Sequence, residues 1–287
     1  EHAFCIASAT KPLTATAVMA LVEDGVLALD DAVNDVLEEV ELDGRITIEH
    51  LLGHTSGLPD LFDLAGYGEN AQHQSITPED LGAAADGAEL LFEPGAQHRY
   101  SNLAYALLGR IVEVRSGEPL ESFLERRVFE PAGMDHTMFG GDRLVVPGAV
   151  TDYLASESGD WRRAEPLNYS WGFGLGGLFS TVDDLAAFDA ALRDGRILEP
   201  ETVSRMEKAF VLPDDQTAPH GLGWAITERG GMRFVHHGGG IAGWRAIIVS
   251  IPEKQVFVAV LSNRGEERTP VANIGMFVAA QVASMPE

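Results

Sequence analysis

Between Lys11 and Asp24 the apolar or near-apolar positions Leu13, Thr14, Ala17, Val18, Leu21 and Val22 recur at helical spacing, and Gly25 supplies a stop. Pro12 fits only the first turn of such a helix, where its missing N–H would lack a partner anyway. Ser8 then falls at or just before the helix N-terminus, with Lys11 on the same face. The same period predicts helices over Thr47–Gly53, Ser101–Val114, Leu120–Phe129, Thr181–Leu192 and about Pro270–Ala283. The helix over Thr181–Leu192 has Ser180 or Thr181 as its cap, with Asp183 and Asp184 in the first turn. After Gly221 the pattern changes to alternating or continuous apolar runs, at Leu222–Glu228, Met232–His236, Trp244–Ile251 and Gln255–Ser262. Gly230-Gly231 and Pro252-Glu253-Lys254 supply turns between them, as in an antiparallel meander.

Helices in the middle and a late sheet predict an α+β protein in which the first helix packs on that sheet. The chain of 287 residues shows no repeat, low-complexity tract or linker. It reads as one domain with a mixed lobe over about 1–30 and 180–287 and a mainly helical lobe over about 31–179. No run approaches the ~20 apolar residues that cross a bilayer. The 44 acidic against 20 basic residues give a net charge of −24, a field that repels phosphate backbones and anionic lipid. Neither nucleic acid nor membrane is therefore expected as a partner. Cys5 is the single cysteine, which excludes a disulfide framework and reads as a small core residue.

Ser8-Ala9-Thr10-Lys11 is the first candidate for chemistry. A serine hydroxyl needs a base in hydrogen-bond reach to become a nucleophile, and a lysine three residues later on a helix stands beside it. Burial and the positive end of the helix both favour the neutral amine that a base requires. Read alone, the pair is equally an N-cap serine and a surface lysine. Tyr100-Ser101-Asn102 lies at the mouth of the next long helix. There a tyrosine can relay a proton if neighbouring cations lower its pKa, and an asparagine can hold a carbonyl or the lysine. A capping motif beside a packed aromatic is the plainer reading. His236-His237-Gly238-Gly239 ends a predicted strand, where glycines let a substrate backbone approach and N–H groups aim at an oxyanion. A metal site is disfavoured, because no further His, Asp or Glu follows at a ligand spacing.

In chain order, Ser-x-x-Lys, Tyr-x-Asn and His-x-Gly together form a set that resembles the serine β-lactamase and penicillin-binding-protein superfamily. The likeness is nearest to its class C β-lactamase-like branch, which includes family VIII esterases. Leu51-Leu52-Gly53-His54-Thr55-Ser56-Gly57-Leu58, Phe129-Glu130-Pro131-Ala132-Gly133-Met134 and Gly176-Gly177-Leu178-Phe179-Ser180-Thr181 support it. The resemblance implies a β-lactamase-like fold with an antiparallel sheet, flanking helices and an inserted helical lobe. It implies Ser8 as acylated nucleophile and Lys11 with Tyr100 sharing the proton traffic. Asn102, His236 and Gly238 would hold substrate, and the N–H groups of Ser8 and Gly239 would form an oxyanion hole. No cofactor or metal is implied, and the expected ligand is a small ester, amide or lactam.

Two departures from the family pattern shape the functional expectation. His236 stands where many relatives have a lysine, which replaces a permanent cation by a group mostly neutral at pH 7. Arg245 can supply the missing charge or be a plain surface arginine. The balance favours a carboxylesterase on small or medium esters; a D-amino-acid peptidase, DD-carboxypeptidase or weak β-lactamase is the close rival, and a non-catalytic ligand-binding homologue the rival of another kind. Strands that normally precede the Ser-x-x-Lys helix are expected to be missing here, and compartment and oligomeric state are left open. Gly172-Phe173-Gly174-Leu175-Gly176-Gly177 matches a dinucleotide fingerprint on paper but follows no strand-to-helix crossover, so it reads as a loop near the site. Trp171, Phe173 and Trp244 are candidates for a pocket lining or for ordinary core.

Overall fold

The computed structural model describes residues 2–142, 145–156, 159–213, 215–265 and 270–285. Its helices are α1 (Lys11–Glu23), α2 (Ile48–Leu52), α3 (Pro78–Ala83), α4 (Asn102–Ser116), α5 (Leu120–Leu124), α6 (Glu130–Ala132), α7 (Val182–Arg193), α8 (Pro200–Met206) and α9 (Val271–Ala283). Its strands are β1 (Phe4–Cys5), β2 (Met138–Phe139), β3 (Tyr153–Ala155), β4 (Trp161–Arg163), β5 (Leu178–Ser180), β6 (Ala225–Arg229), β7 (Met232–Ile241), β8 (Trp244–Ile251) and β9 (Val256–Ser262). The last four form an antiparallel meander in the order β6-β7-β8-β9, while β1, β5 and β2 make a small second sheet and β3 pairs with β4. This is the expected α+β arrangement, with an antiparallel sheet flanked by helices.

Helix α1 is buried from Lys11 to Leu21, on all sides rather than along one stripe, because it runs through the middle of the molecule. It packs on α4, and the short 3₁₀ turn that precedes it, Ala7–Thr10, packs on β7. One continuous apolar core joins Ile6 and Leu13 to Leu107 on α4 and to Ile248 on β8. Helix α9 covers the meander over β8 and β9. The helix starts follow local chemistry. Ser101 accepts the Ala104 N–H at 3.2 Å, and Thr181 accepts the Asp184 N–H at 3.1 Å. Thr47 and His50 close a reciprocal capping box at the start of α2.

Several elements differ from the periodicity. The single helix expected over Leu120–Phe129 is α5, a π-helical turn over Glu125–Phe129, and then α6. Pro131 lacks the N–H that a regular α-helical ladder would need there, which accounts for the widened turn. Strand β7 continues five residues past His236, because the glycines stay in register with β8, Gly239 opposite Ala246 and Gly240 opposite Arg245. The two- and three-residue strands of the smaller sheets went unpredicted, since such short runs hold no readable alternation.

The approach of β7 to the turn before α1 depends on Gly239. A Cβ there would stand 1.9 Å from the Ile6 carbonyl oxygen, whereas one at Gly238 would meet nothing nearer than 3.8 Å. Gly239→Ala is therefore expected to destabilise the fold by about 1–3 kcal/mol in urea unfolding, the usual overpacking cost. Gly238→Ala should be neutral or slightly stabilising, as expected for a glycine in an open strand position. Equal urea midpoints for the two variants would show that β7 does not press on the Ser8 turn.

Candidate active site

Ser8 lies in the 3₁₀ turn, and Lys11 is the first residue of α1, so one turn of chain carries both. The turn is entered through Ala7 with φ +46°, a left-handed conformation that costs a non-glycine residue about 1–2 kcal/mol. The backbone holds it there: the Ile6 N–H donates to Leu178 O at 3.0 Å, and the Ala9 N–H donates to Ile6 O at 3.0 Å.

The Lys11 side chain is fully buried and its nitrogen has three neighbours. It lies 2.8 Å from Asn102 Oδ1, 2.7 Å from the Leu175 carbonyl and 3.4 Å from Ser8 Oγ. The first two can only accept, so they consume two N–H bonds. A neutral amine has two, and its lone pair is then left for the Ser8 hydroxyl. Burial works in the same direction and lowers the Lys11 pKa to about 7, against the opposing pull of Asp60. Asn102 is held with its oxygen toward the amine because Asp60 Oδ2 accepts from Asn102 Nδ2 at 3.0 Å and from the Asn102 N–H at 2.8 Å. Asp60 and the Leu175 carbonyl were not found from the sequence. Asp60 is the cap of a 3₁₀ turn, Leu61–Asp63, and lies outside every motif read from the sequence, and a carbonyl leaves no mark on residue type.

Tyr100 stands over this group, with Lys11 Nζ 4.9 Å from its ring centre. Its pKa is raised by burial, with only a partial offset from the Ser8 side chain, so the condition of a lowered pKa is not met and the phenol is kept protonated. The histidine placement is corrected too. Successive residues of a strand face opposite sides, and here His237, not His236, faces Tyr100, at 6.3 Å between ring centres. His236 lies on the other face, where its Nε2 is 3.0 Å from Thr227 Oγ1. Arg245 is also turned aside, donating from Nη1 to the Ile241 and Trp244 carbonyls at 2.8 and 2.7 Å. On β7, Gly238 and Gly240 share the face of His236, while Gly239 is pressed on Ile6 and Ala9.

A cavity of about 510 Å³ opens beside the serine, lined by Ser8, Asn102, Tyr169, Trp171, Gly176 and Gly240 among others. Of the aromatic candidates, Trp171 faces it, Phe173 packs against Gly109, and Trp244 belongs to a core patch with Phe4 and Phe179. The glycine-rich loop 172–177 belongs to the site through its backbone: Leu175 O holds Lys11, and Gly174 O accepts the Thr14 hydroxyl at 2.8 Å. Behind Tyr100, His54, His220 and His237 have their pKa values pushed down by burial, that of His220 to about 3. Among the described residues, no group of three or more His, Cys, Asp or Glu is arranged to hold a metal ion. No helix among them is long and apolar enough to cross a membrane.

The family model described as Beta-lactamase matches residues 1–282. Penicillin-binding protein 4* of Bacillus subtilis is 30% identical over 281 residues, covering 92% of this chain and 61% of that protein. The D-aminopeptidase of Gluconobacter oxydans is 26% identical over 261 residues, covering 91% of this chain and 49% of that protein. The chain thus spans about half to three-fifths of the length of these curated relatives. Among solved structures, a D-stereospecific amidohydrolase from a Streptomyces species superposes with a TM-score of 0.83 at 28% identity, over 96% of this chain and 86% of that one.

The lowered histidine and lysine pKa values give stability a definite slope with pH. Below its ordinary value of 6.5 each buried imidazole binds a proton more readily in the unfolded chain, so this stability is present above about pH 6.5 and lost as pH falls. Lys11 acts with the same sign between its folded value of about 7 and its ordinary 10.5. The urea midpoint is therefore expected to fall from pH 8 to pH 5. His220→Phe should remove about 1.4 kcal/mol per pH unit of that slope below pH 6. An unchanged slope in the variant would mean that His220 is not buried neutral.

Proposed function

The chain belongs to the Beta-lactamase family, and from that membership and the geometry around Ser8 we propose a serine hydrolase that works through an acyl-enzyme on D-amino-acid amides and short peptides. The observation that carries this reading is the Lys11 nitrogen with two acceptors and one hydroxyl around it. As Ser8 Oγ bonds to the substrate carbonyl carbon, its proton passes to the Lys11 amine. Tyr100, held as a neutral phenol, donates to the leaving nitrogen or oxygen and is reprotonated from Lys11. Water then enters by the same route: its oxygen bonds to the acyl carbon as its proton passes to Lys11, the bond from that carbon to Ser8 Oγ breaks, and Oγ takes the proton back from Lys11. N–H groups at Ser8 and along Gly239–Gly240 would receive the oxyanion. Asp60 acts at one remove, fixing the Asn102 amide that orients the lysine.

The choice of substrate rests on charge. Beside Ser8 the strand offers a neutral His237, and Arg245 donates to carbonyls, so among the described residues no fixed cation awaits a carboxylate next to the scissile bond. The basic groups that line the cavity, Arg162 and His73, are exposed at its rim. An amide without an adjacent carboxylate suits this wall better than a β-lactam or a D-alanyl terminus. The D-aminopeptidase and D-stereospecific amidohydrolase relatives point the same way. Small esters are the second reading, favoured by the same uncharged wall.

A fluorophosphonate probe followed by mass spectrometry should place its adduct on Ser8 of the folded protein, and Ser8→Ala should abolish it. Lys11→Ala should lower kcat/KM on the order of 10²–10⁴-fold, the span usual for loss of a general base. In the unaltered protein kcat/KM should rise with pH through about 7, as the Lys11 amine loses its proton. Full activity in Lys11→Ala would remove the base from the scheme. D-phenylalanine amide should be turned over faster than its L-enantiomer and than a chromogenic cephalosporin; dominant cephalosporin hydrolysis would overturn the substrate assignment.

A further inference from the structure

Behind Tyr100 the fold gathers four imidazoles from distant parts of the chain: His54 after α2, His98 before α4, His220 before β6 and His237 on β7. His98 and His220 stack with ring centres 4.9 Å apart and planes at 12°, His54 lies 5.1 Å from His220, and His237 lies 6.1 Å from His220. His54 and His237 are buried, while His98 and His220 are partly exposed. Each ring has a buried nitrogen with no hydrogen-bond partner in the protein: Nε2 of His54, His98 and His237, and Nδ1 of His220. Buried polar atoms in native proteins are almost always satisfied, and where protein groups do not serve, ordered water does.

Two of the rings have their protons fixed by the backbone. The Ser101 N–H donates to His54 Nδ1 at 3.2 Å, so the neutral His54 carries its hydrogen on Nε2. His237 Nδ1 is 2.7 Å from the Gly238 carbonyl and must be its donor, which leaves a lone pair on Nε2. His237 therefore presents a buried acceptor near Lys11 and Tyr100, and His54 a buried donor. His98 and His220 make no such backbone bond, so either nitrogen can take up or release a proton. The charges acting on the cluster are Lys11 from α1, the rings themselves and His236 from the far face of β7. Tyr100 and Tyr105 flank His54 at 4.4 and 5.0 Å, and Asp60 acts on Lys11 and Tyr100.

We propose that His237, His220 and His98, through water held at their unpartnered nitrogens, form a path that carries protons between the Lys11–Tyr100 pair and solvent. The inference rests on the hydrolase reading above. Hydrolysis of an amide at neutral pH yields a carboxylate and an ammonium, so the amine removes the proton. Hydrolysis of an ester yields a carboxylate, an alcohol and one proton, which must leave the site before Lys11 can act again. The path serves that step: the proton moves from Lys11 through Tyr100 to His237 Nε2, on to His220 Nδ1 by water, and out through His98 or the second nitrogen of His220.

The test uses His220→Phe, with His98→Phe as a second variant; both keep an aromatic ring and remove the nitrogens. Turnover of 4-nitrophenyl acetate is measured at pH 7 across a series of concentrations of a bulky buffer and of imidazole, with Ser8 labelling by fluorophosphonate as the check on the folded site. The variants should label normally, lose roughly tenfold or more in ester kcat at low buffer concentration, below the 10²–10⁴-fold of direct acid–base catalysis, and regain it with imidazole. D-phenylalanine amide turnover should fall less. A loss that imidazole does not restore, or no loss, would overturn the path while leaving Ser8 labelled. Failure of the unaltered protein to label at Ser8 would instead overturn the hydrolase reading.

Discussion

The site depends on the burial of one amine. Taking Lys11 out of water costs the ammonium form far more than the neutral form, and the protein answers with two carbonyl-type acceptors, not with a carboxylate in contact. Had Asp60 met Lys11 directly, the pair would be an ion pair and the lysine a poor base. Instead Asn102 stands between them. It accepts from the lysine and donates to Asp60, and so carries the influence of the carboxylate without neutralising the amine's lone pair.

Much of the fold serves that placement. The amine needs an acceptor from the loop after β4, one from the start of α4, and a hydroxyl from its own turn. Helix α1 can reach all three only from the centre of the molecule, where no face meets water. The price is local strain at Ala7, and close backbone approaches that admit no side chain. A Cβ on Gly239 would meet Ile6, and one on Gly174, itself at φ +68°, would come within 2.5 Å of the Tyr105 carbonyl. Acidity elsewhere on the surface leaves this interior untouched, because the desolvated amine is governed by its neighbours and not by the global charge of −24.

The sequence carried the long elements well, and also the side chains that gather around Ser8. The apolar spacing of α1, the caps of α4 and α7 and the meander are signals of one segment at a time. Ser8, Lys11, Tyr100 and Asn102 form a distinctive ordered set, and the structure brings them together. What it did not carry depends on contacts between segments. The assignment of His236 over His237 was a question of which face of β7 turns inward, and two adjacent identical residues give no clue to that. Arg245 reads as an available cation until its carbonyl partners are seen. Whether cations would lower the Tyr100 pKa was left open by the sequence, and burial together with Asp60 raises it. The imidazole cluster is invisible in one dimension, since its members lie scattered between residues 54 and 237.

The proposed chemistry requires the Lys11 amine to be uncharged near neutrality, and this can be measured without any substrate. The chain has three lysines, the others being Lys208 and Lys254, so the ε-carbon resonances of protein labelled with ¹³C-lysine can be assigned from single variants. Followed by NMR from pH 5 to pH 11, the Lys11 signal should titrate with a midpoint close to 7. A midpoint at the ordinary lysine value of 10.5 would mean an ammonium beside Ser8, and the hydroxyl would then have no base.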